Sequence, residues 1–160
     1  MAGRSSGFSL RSADDCRFRG ISSQNLRPMS LERFVQAQEA SYEGALAELK
    51  TGRKTGHWIW WVFPQLKGLG TSHNSTFYGL ADEAEAAAYL AHPVLGARYR
   101  ECVEIVHGHL CKGGVSPLTL MGSEVDVMKL GSSLRLFSFV APSCEGALWQ
   151  EADAILKVLG

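Results

Sequence analysis

The sequence lacks both the cysteine spacing of a zinc site and an apolar segment long enough to cross a bilayer. Its four cysteines stand at positions 16, 102, 111 and 144, so no Cys-x-x-Cys pair occurs. The longest apolar run, Trp58 to Phe63, is far shorter than the roughly 20 residues of a transmembrane helix. A basic start followed by an apolar secretory region is also missing. We therefore expect reduced thiols, no metal, no cofactor, no membrane partner and a cytoplasmic chain.

Short signature motifs of nucleotide-binding and hydrolytic enzymes are missing as well. The segment from Gly52 to Gly56 has the wrong spacing for a phosphate-binding P-loop, and neither G-x-G-x-x-G nor G-x-S-x-G occurs. His107 and His109 are two residues apart, a spacing that points the two rings in different directions on a helix. The sequence thus excludes the nucleotide-binding and hydrolase classes that carry these signatures, and it predicts no metal site at the histidines.

Charge is distributed unevenly, although the formal net charge is zero. Residues 1–29 carry a net charge of +3 and residues 30–160 a net charge of −3. The first segment is rich in Ser, Arg and Gly and poor in apolar residues, so we predict a disordered leader. An organelle presequence is the alternative, which would make the protein organellar, although Asp14 and Asp15 interrupt that pattern. General binding to the phosphate backbone of nucleic acids needs a basic surface, so we do not expect it of a slightly acidic domain.

Residues 30–160 show the apolar spacing of amphipathic helices, with no internal repeat and no alternation of strands and helices. We predict one compact all-α domain of about five to seven helices. The segment 132–140 is ambiguous between a buried strand and a helix. The expected helix caps, starts and ends are Ser30, Gly52, Asp82 with Glu85, Pro93, Ser116 with Pro117, Ser123 and Ser143.

Three of the four tryptophans stand in one short stretch with His57 and Phe63. Such a stretch can form a stacking wall for a planar ligand such as a nucleobase, with basic residues nearby for phosphate, or it can be core packing alone. We expect Trp58 and Phe63 to point inward and Trp60 or Trp61 to line a pocket. An imidazole such as that of His57 suits proton transfer near neutral pH, and the alternative role is a hydrogen bond to a carbonyl.

A second cluster consists of Lys129, Ser132 and Ser133. On a continuous helix these positions share a face, which would place an ammonium group near two hydroxyls, as in Ser–Lys nucleophile pairs. Gly131 favours a break instead, after which one of the serines would cap the following helix. Asp126 stands three residues before Lys129 and is expected to pair with it.

The chain resembles a known family in several strings of residues. These are His57-Trp58-x-Trp60, Phe63-Pro64-Gln65-x-x-Gly68-Leu69-Gly70-x-Ser72 and Asp126-x-x-Lys129-Leu130-x-Ser132-Ser133. They closely resemble the family of domains of unknown function numbered 1810 (DUF1810), over essentially residues 31–143. The resemblance implies a small all-helical cytosolic domain and supplies no settled activity. Some members are labelled calpastatin, but a tryptophan-rich packed domain differs from a disordered inhibitor segment.

Two features of this chain depart from that pattern. Trp61 stands where the family usually has an aliphatic residue or Phe. Family members usually continue beyond the last helix, whereas this sequence stops at Gly160, so we expect part of the core to be exposed there. The family's motif residues fall here on Gln38, Tyr42, His57, Trp58, Trp60, Phe63, Gln65, Tyr78, Asp126, Lys129, Ser132 and Ser133.

Two functional hypotheses remain open at this point, and the sequence leaves the oligomeric state undetermined. The first is a hydrolase or transferase that handles a small-molecule or nucleotide-like ligand, with His57 as acid or base, Lys129 stabilising negative charge and Ser132 as the third catalytic group. The second is a non-catalytic module that uses the aromatic segment to hold a peptide, a base or a partner helix. The expected ligand-binding residues are Gln38, Trp58, Trp60, Gln65, Tyr78, Asp126 and Ser133.

Overall fold

The computed structural model describes residues 31–143 and 145–160. Within these ranges, all elements of regular secondary structure longer than a single bridge are helices. An isolated parallel bridge joins Leu66 to Leu80. The all-α prediction is therefore confirmed, although the described residues form eight α-helices and not five to seven, because three have only four or five residues. The helices are α1 Glu32–Thr51, α2 Ile59–Val62, α3 His73–Phe77, α4 Glu83–Ala91, α5 Leu95–His107, α6 Pro117–Met121, α7 Glu124–Val140 and α8 Gly146–Leu159, with a π-helical turn Gly108–Lys112 continuing α5.

Several helix ends follow directly from local sequence. Gly52 ends α1 with a φ of 77°, a conformation that a residue without Cβ adopts at little cost. The Asp82 carboxylate caps α4 by accepting the N–H of Glu85 at 2.9 Å. Ser116 caps α6 in the same way, with Pro117 at the first position. These predicted boundaries are confirmed, whereas α5 begins at Leu95, two residues beyond Pro93.

Helices α5 and α7 form the centre of the core. Tyr99 of α5 and Phe137 of α7 are both about 1% exposed, and their ring centroids lie 4.2 Å apart. The Tyr99 hydroxyl also lies 3.2 Å from the Ser133 hydroxyl, which satisfies two polar groups inside the apolar layer. Helices α1, α4 and α8 pack around this pair. This arrangement leaves the start of α7 beside the aromatic segment that follows α1.

Helix α7 is the main correction to the predicted helix boundaries. It runs without interruption from Glu124 to Val140, so neither Ser132 nor Ser133 caps a helix, and the segment 132–140 is helical. Gly131 does not break the helix, although glycine has a low helix propensity, and Leu159 of α8 packs over it, 3.5 Å from where a Cβ would stand. Ser123 therefore caps a 17-residue helix and not a short turn.

The last helix also begins differently from the prediction. Its cap position is Glu145, with no side-chain cap, and the expected cap Ser143 is exposed two residues earlier. The Glu145 carboxylate pairs instead with the guanidinium of Arg100, which ties the start of α8 to α5. The predictions for the leader and for Ser30 concern residues outside the described ranges. None of the helices described is both long and apolar enough to span a membrane.

Candidate functional site

The loop 53–58, between α1 and the aromatic helix α2, is organised by one carboxylate. Glu48 accepts the backbone N–H groups of Thr55 at 2.7 Å and Gly56 at 2.9 Å, and the indole N–H of Trp58 at 2.7 Å. Partial burial works to raise the pKa of Glu48, but these bonds outweigh it and lower the pKa to about 2. The acceptor that holds the loop is therefore ionised at neutral pH, and its three hydrogen bonds fix the position from which α2 begins.

Lys54 turns inward from this loop and reaches the start of α7. Its backbone N–H donates to the carbonyl of Leu120 at 2.7 Å, and its side chain is only 5% exposed. The ammonium group donates to the carbonyl of Gly56 and lies 2.7 Å from the Asp126 carboxylate. It also lies 5.2 Å from the centre of the Trp58 ring, within range of a cation–π contact.

Asp126 holds a second lysine on its other oxygen. Lys129 donates to this carboxylate at 3.1 Å, as predicted from the three-residue spacing, and its ammonium lies 3.7 Å from the centre of the Trp60 ring. Burial works to raise the pKa of Asp126, but hydrogen bonds from Lys54 and Lys129 outweigh it and hold the pKa below its ordinary value. We call Lys54, Asp126, Lys129 and Trp60 the lysine–tryptophan cluster, and its formal charge is +1.

A groove of about 410 Å³ lies one helical turn further along α7. Ser132 stands in its wall, three residues after Lys129 and therefore on the same side of the helix. The groove has both apolar and charged walls, and neither Glu83 nor Arg135 forms an ion pair or side-chain hydrogen bond with another described residue. The lining residues are Leu66, Leu69, Glu83, Ser132, Arg135, Leu136 and Phe139.

The arrangement can hold negative charge beside an aromatic ring, and it contains no preformed nucleophile. No hydrogen bond joins the Ser132 hydroxyl to Lys129 in the described ranges, and the Lys129 ammonium instead donates to Asp126 and lies over the Trp60 ring. The imidazole of His57 is exposed and has no hydrogen-bond partner in the described part of the chain. Within those same ranges, no group of three or more His, Cys, Asp or Glu side chains could hold a metal ion.

A family model described as a protein of unknown function (DUF1810) matches residues 28–153 of this chain. The chain belongs to the DUF1810 family. The crystal structure of the conserved hypothetical protein Rv1873 from Mycobacterium tuberculosis is similar to this one, with 42% identity and a TM-score of 0.72. The match covers 81% of this chain and 86% of that one. Comparison with curated proteins finds no match.

Four of the predicted site residues of this DUF1810 domain come together in the lysine–tryptophan cluster or directly against it. Asp126, Lys129 and Trp60 belong to the cluster, and Trp58 packs beneath Lys54 with 3% of its surface exposed. The inward orientation predicted for Trp58 and Phe63 is confirmed. The roles of these residues in binding or catalysis remain predictions.

Other predicted residues lie apart from the cluster. Gln38 is 1% exposed, and its amide donates to the Trp61 carbonyl at 2.8 Å and to the Tyr89 hydroxyl at 2.9 Å, so it braces α2 against α1 and α4. Ser133 is fully buried against Tyr99. The geometry gives both residues a structural use, and their contact with a ligand stays a prediction.

Tyr78 and Gln65 contact residues outside the lysine–tryptophan cluster. The Tyr78 ring packs 5.0 Å from that of Trp61, whose indole N–H donates to Ser41 at 2.8 Å. The backbone carbonyl of Gln65 accepts the N–H of Leu80 at 2.9 Å, and its side chain is 9% exposed. Both residues therefore shape the loop beside α2, and among the described residues neither makes a hydrogen bond to Lys129.

Glu48 and the buried role of Lys54 could not be identified from the sequence. Lys54 is 72 positions from Asp126, and nothing in the spacing indicates that the two meet. Glu48 stands in the last turn of an amphipathic helix, where a charged residue is ordinary. The one available signal was the run of Thr55 and Gly56 after the helix, whose N–H groups need an acceptor.

Proposed function

We propose that this domain binds a small planar anion of the nucleotide class at the lysine–tryptophan cluster and along the adjoining groove. The observation that carries the proposal is the placement of Lys129 over the Trp60 ring. Lys54 is buried and already bound to Asp126, so Lys129 is the ammonium group nearer to solvent. A cation held against an aromatic ring beside an open groove suits a ligand that has both negative charge and a flat ring.

The charge balance of the cluster favours an anion. Two lysines share one carboxylate, and hydrogen bonds from both hold the pKa of Asp126 below its ordinary value, so the carboxylate stays ionised at neutral pH. The surplus positive charge is therefore steady, and Asp126 orients Lys129 before any ligand arrives. Orientation in advance lowers the entropy lost on binding, which increases affinity for a group of opposite charge.

The groove provides room for the body of such a ligand. Its volume of about 410 Å³ lies within the range of small-molecule sites. Leu66 and Leu136 supply apolar walls, while Ser132 offers a hydroxyl that has no hydrogen-bond partner in the described ranges. The polar end of the ligand would contact Lys129 and its apolar or aromatic part would enter the groove.

The proposal is tested by thermal shift and calorimetry with AMP, ADP-ribose and uncharged adenosine as probes. A probe at a hundredfold excess over its dissociation constant stabilises the folded protein by about 2.7 kcal/mol, which is readily seen. We expect AMP or ADP-ribose to bind more tightly than adenosine, and Lys129→Met to remove most of that difference.

Lys157→Met is the matched control, because Lys157 also pairs with an aspartate on its own helix but is 75% exposed and far along α8. This variant should bind the probes like the wild type. If no charged probe binds, or if both lysine variants weaken binding equally, the proposed function is wrong.

A hydrolase or transferase acting at the same site is a second candidate, and one observation favours it. His57 follows directly after Gly56, whose carbonyl receives the Lys54 ammonium, and its imidazole is free to act as an acid or base. Incubation with ADP-ribose and chromatography of the products tests this candidate. Turnover that is lost in His57→Ala while the probe still binds supports an enzyme, and binding without turnover by the wild type refutes it.

A further inference from the structure

The groove beside the lysine–tryptophan cluster has one charged side chain of each sign in its walls. Glu83 is the first residue of α4 and Arg135 stands in the second half of α7, and both line the groove. Within the described ranges no ion pair joins them, and neither side chain has another ion-pair or hydrogen-bond partner. The groove therefore holds a carboxylate that can accept hydrogen bonds and a guanidinium that can donate them.

Glu83 differs from its acidic neighbours, whose carboxylates are used by the fold. Asp82 caps α4 by accepting the N–H of Glu85 at 2.9 Å. Glu85 is buried, accepts the N–H of Ala81 at 2.7 Å and pairs with Arg33 at 2.8 Å. Glu83 is exposed and has no such contact in the described part of the chain, so both of its oxygens are available to a ligand in the groove.

Apolar side chains in the same groove can hold a flat ring. Phe139 is 77% exposed, and its ring pairs with no other aromatic ring among the described residues. Leu69, from the loop between α2 and α3, is 61% exposed and lines the same groove. Stacking on an exposed aromatic ring holds any nucleobase, because every base has a flat face, so the choice between bases falls to the polar groups.

We propose that the groove selects guanine among the nucleobases, an inference that rests on the nucleotide-binding function proposed above. Guanine presents two neighbouring donors, its N1–H and its 2-amino group, from which one carboxylate can accept two parallel hydrogen bonds. Its O6 and N7 are acceptors on the adjoining edge, and arginine donates to both of them. Glu83 is the partner of the donor edge and Arg135 of the acceptor edge, while Lys129 holds the phosphate.

The positions along α7 suit a ligand with its charge at one end and its ring at the other. Lys129 and Arg135 are six residues apart, or about 9 Å along the helix, and Ser132 stands midway. A nucleoside monophosphate separates its phosphate from its base by a similar span. The Arg135 guanidinium rests over Gly131 without a hydrogen bond to any described residue, so it can turn toward a base without losing a partner.

Adenine and hypoxanthine match these two charges less well than guanine does. Adenine turns an unprotonated N1 toward the carboxylate, so that lone pairs face each other, and it keeps a single amino donor. Hypoxanthine keeps the N1–H and the O6 of guanine but lacks the 2-amino group. Because one hydrogen bond to a charged acceptor changes affinity by about tenfold, we expect guanosine monophosphate (GMP) to bind about tenfold more tightly than inosine monophosphate (IMP). The preference over AMP should be larger still.

Calorimetric titration of the full chain with GMP, IMP and AMP tests the proposal. Glu83→Gln should weaken GMP binding about tenfold and leave AMP binding unchanged or tighter, because an amide donates and accepts at once, as adenine requires. Glu124→Gln is the matched control, since Glu124 is also exposed and begins α7 as Glu83 begins α4, but does not line the groove. It should bind all three nucleotides like the wild type.

A second variant tests the acceptor edge of the base. Arg135→Met should weaken GMP and IMP more than AMP, because only the first two carry O6. Circular dichroism establishes that each variant is folded. Equal affinities of the wild type for the three nucleotides, or an equal loss in the Glu124 control, would overturn the guanine preference and leave the nucleotide binding tested by Lys129→Met intact. A wild type that binds none of the three would overturn both proposals.

Discussion

Replacing Glu48 by glutamine tests how the loop 53–58 is held in place. The carboxylate accepts the N–H groups of Thr55 and Gly56 and the indole N–H of Trp58, and its pKa of about 2 lies well below the ordinary value of 4.5. At about 1.36 kcal/mol per pKa unit this difference corresponds to roughly 3 kcal/mol. Because the group is partly exposed and therefore screened by solvent, we expect Glu48→Gln to lower the free energy of unfolding by about 2 kcal/mol at pH 7.

The same bonds predict a dependence on pH. The pKa of Glu48 is lower in the folded than in the unfolded chain, so its stabilising effect is complete above about pH 4.5 and is lost as the pH falls toward 2. The difference in unfolding free energy between wild type and Glu48→Gln should therefore shrink in acid. Urea unfolding followed by circular dichroism at pH 7, 5 and 3 measures it.

Glu43→Gln is the control for this experiment, since Glu43 is an exposed residue of the same helix with no side-chain partner among the described residues. It should change the unfolding free energy by less than about 0.5 kcal/mol at every pH. A Glu48 variant that loses less than that at pH 7, or one whose loss is the same at pH 7 and pH 3, would refute the role assigned to the carboxylate.

Three further substitutions test the packing of the helices by chemical denaturation. Gly96→Ala should destabilise by more than about 3 kcal/mol or prevent folding, because its Cβ would lie 2.0 Å from the carbonyl oxygen of Leu90; a near-neutral result would contradict the close approach of α4 and α5. Gly44→Ala should instead stabilise the protein by about 0.5–1 kcal/mol, because a Cβ at this exposed position of α1 meets nothing within 4 Å. A lower unfolding free energy would be inconsistent with that open surface. Ser133→Ala should cost about 1–2 kcal/mol because it leaves the buried Tyr99 hydroxyl without a partner, and an unchanged midpoint would show that the pair contributes nothing.

Sequence reasoning was most successful where neighbouring residues determine structure. The end of α1 at Gly52 and the start of α4 at Asp82 depend on residues within one helical turn, so both were predictable. The inward position of Trp58 followed from the cost of leaving a large ring in water. The pairing of Asp126 with Lys129 followed from their spacing on a helix.

Predictions failed where a distant element changes the meaning of a residue. Gly131 indicated a break by itself, yet α8 packs Leu159 against it and α7 continues through that position. Ser143 has a side chain that suits a helix cap, but α8 begins after Glu145, whose carboxylate pairs with Arg100 of α5. A local helix-propensity or capping preference of about 1 kcal/mol is easily exceeded by the free energy gained when an apolar helix face is buried.

The aromatic segment at which the candidate site begins shows most clearly what the sequence determines and what the tertiary structure decides. The sequence by itself predicted that the segment from His57 to Gln65 is dense in aromatic residues with Trp58 and Phe63 turned inward, because the hydrophobicity of these rings depends on no partner. Only the tertiary structure decided that Lys129 of α7 lies over Trp60 and that Lys54 joins it through Asp126. Electrostatic and cation–π contacts depend on distances between residues far apart in the chain, and those distances arise only when the helices pack.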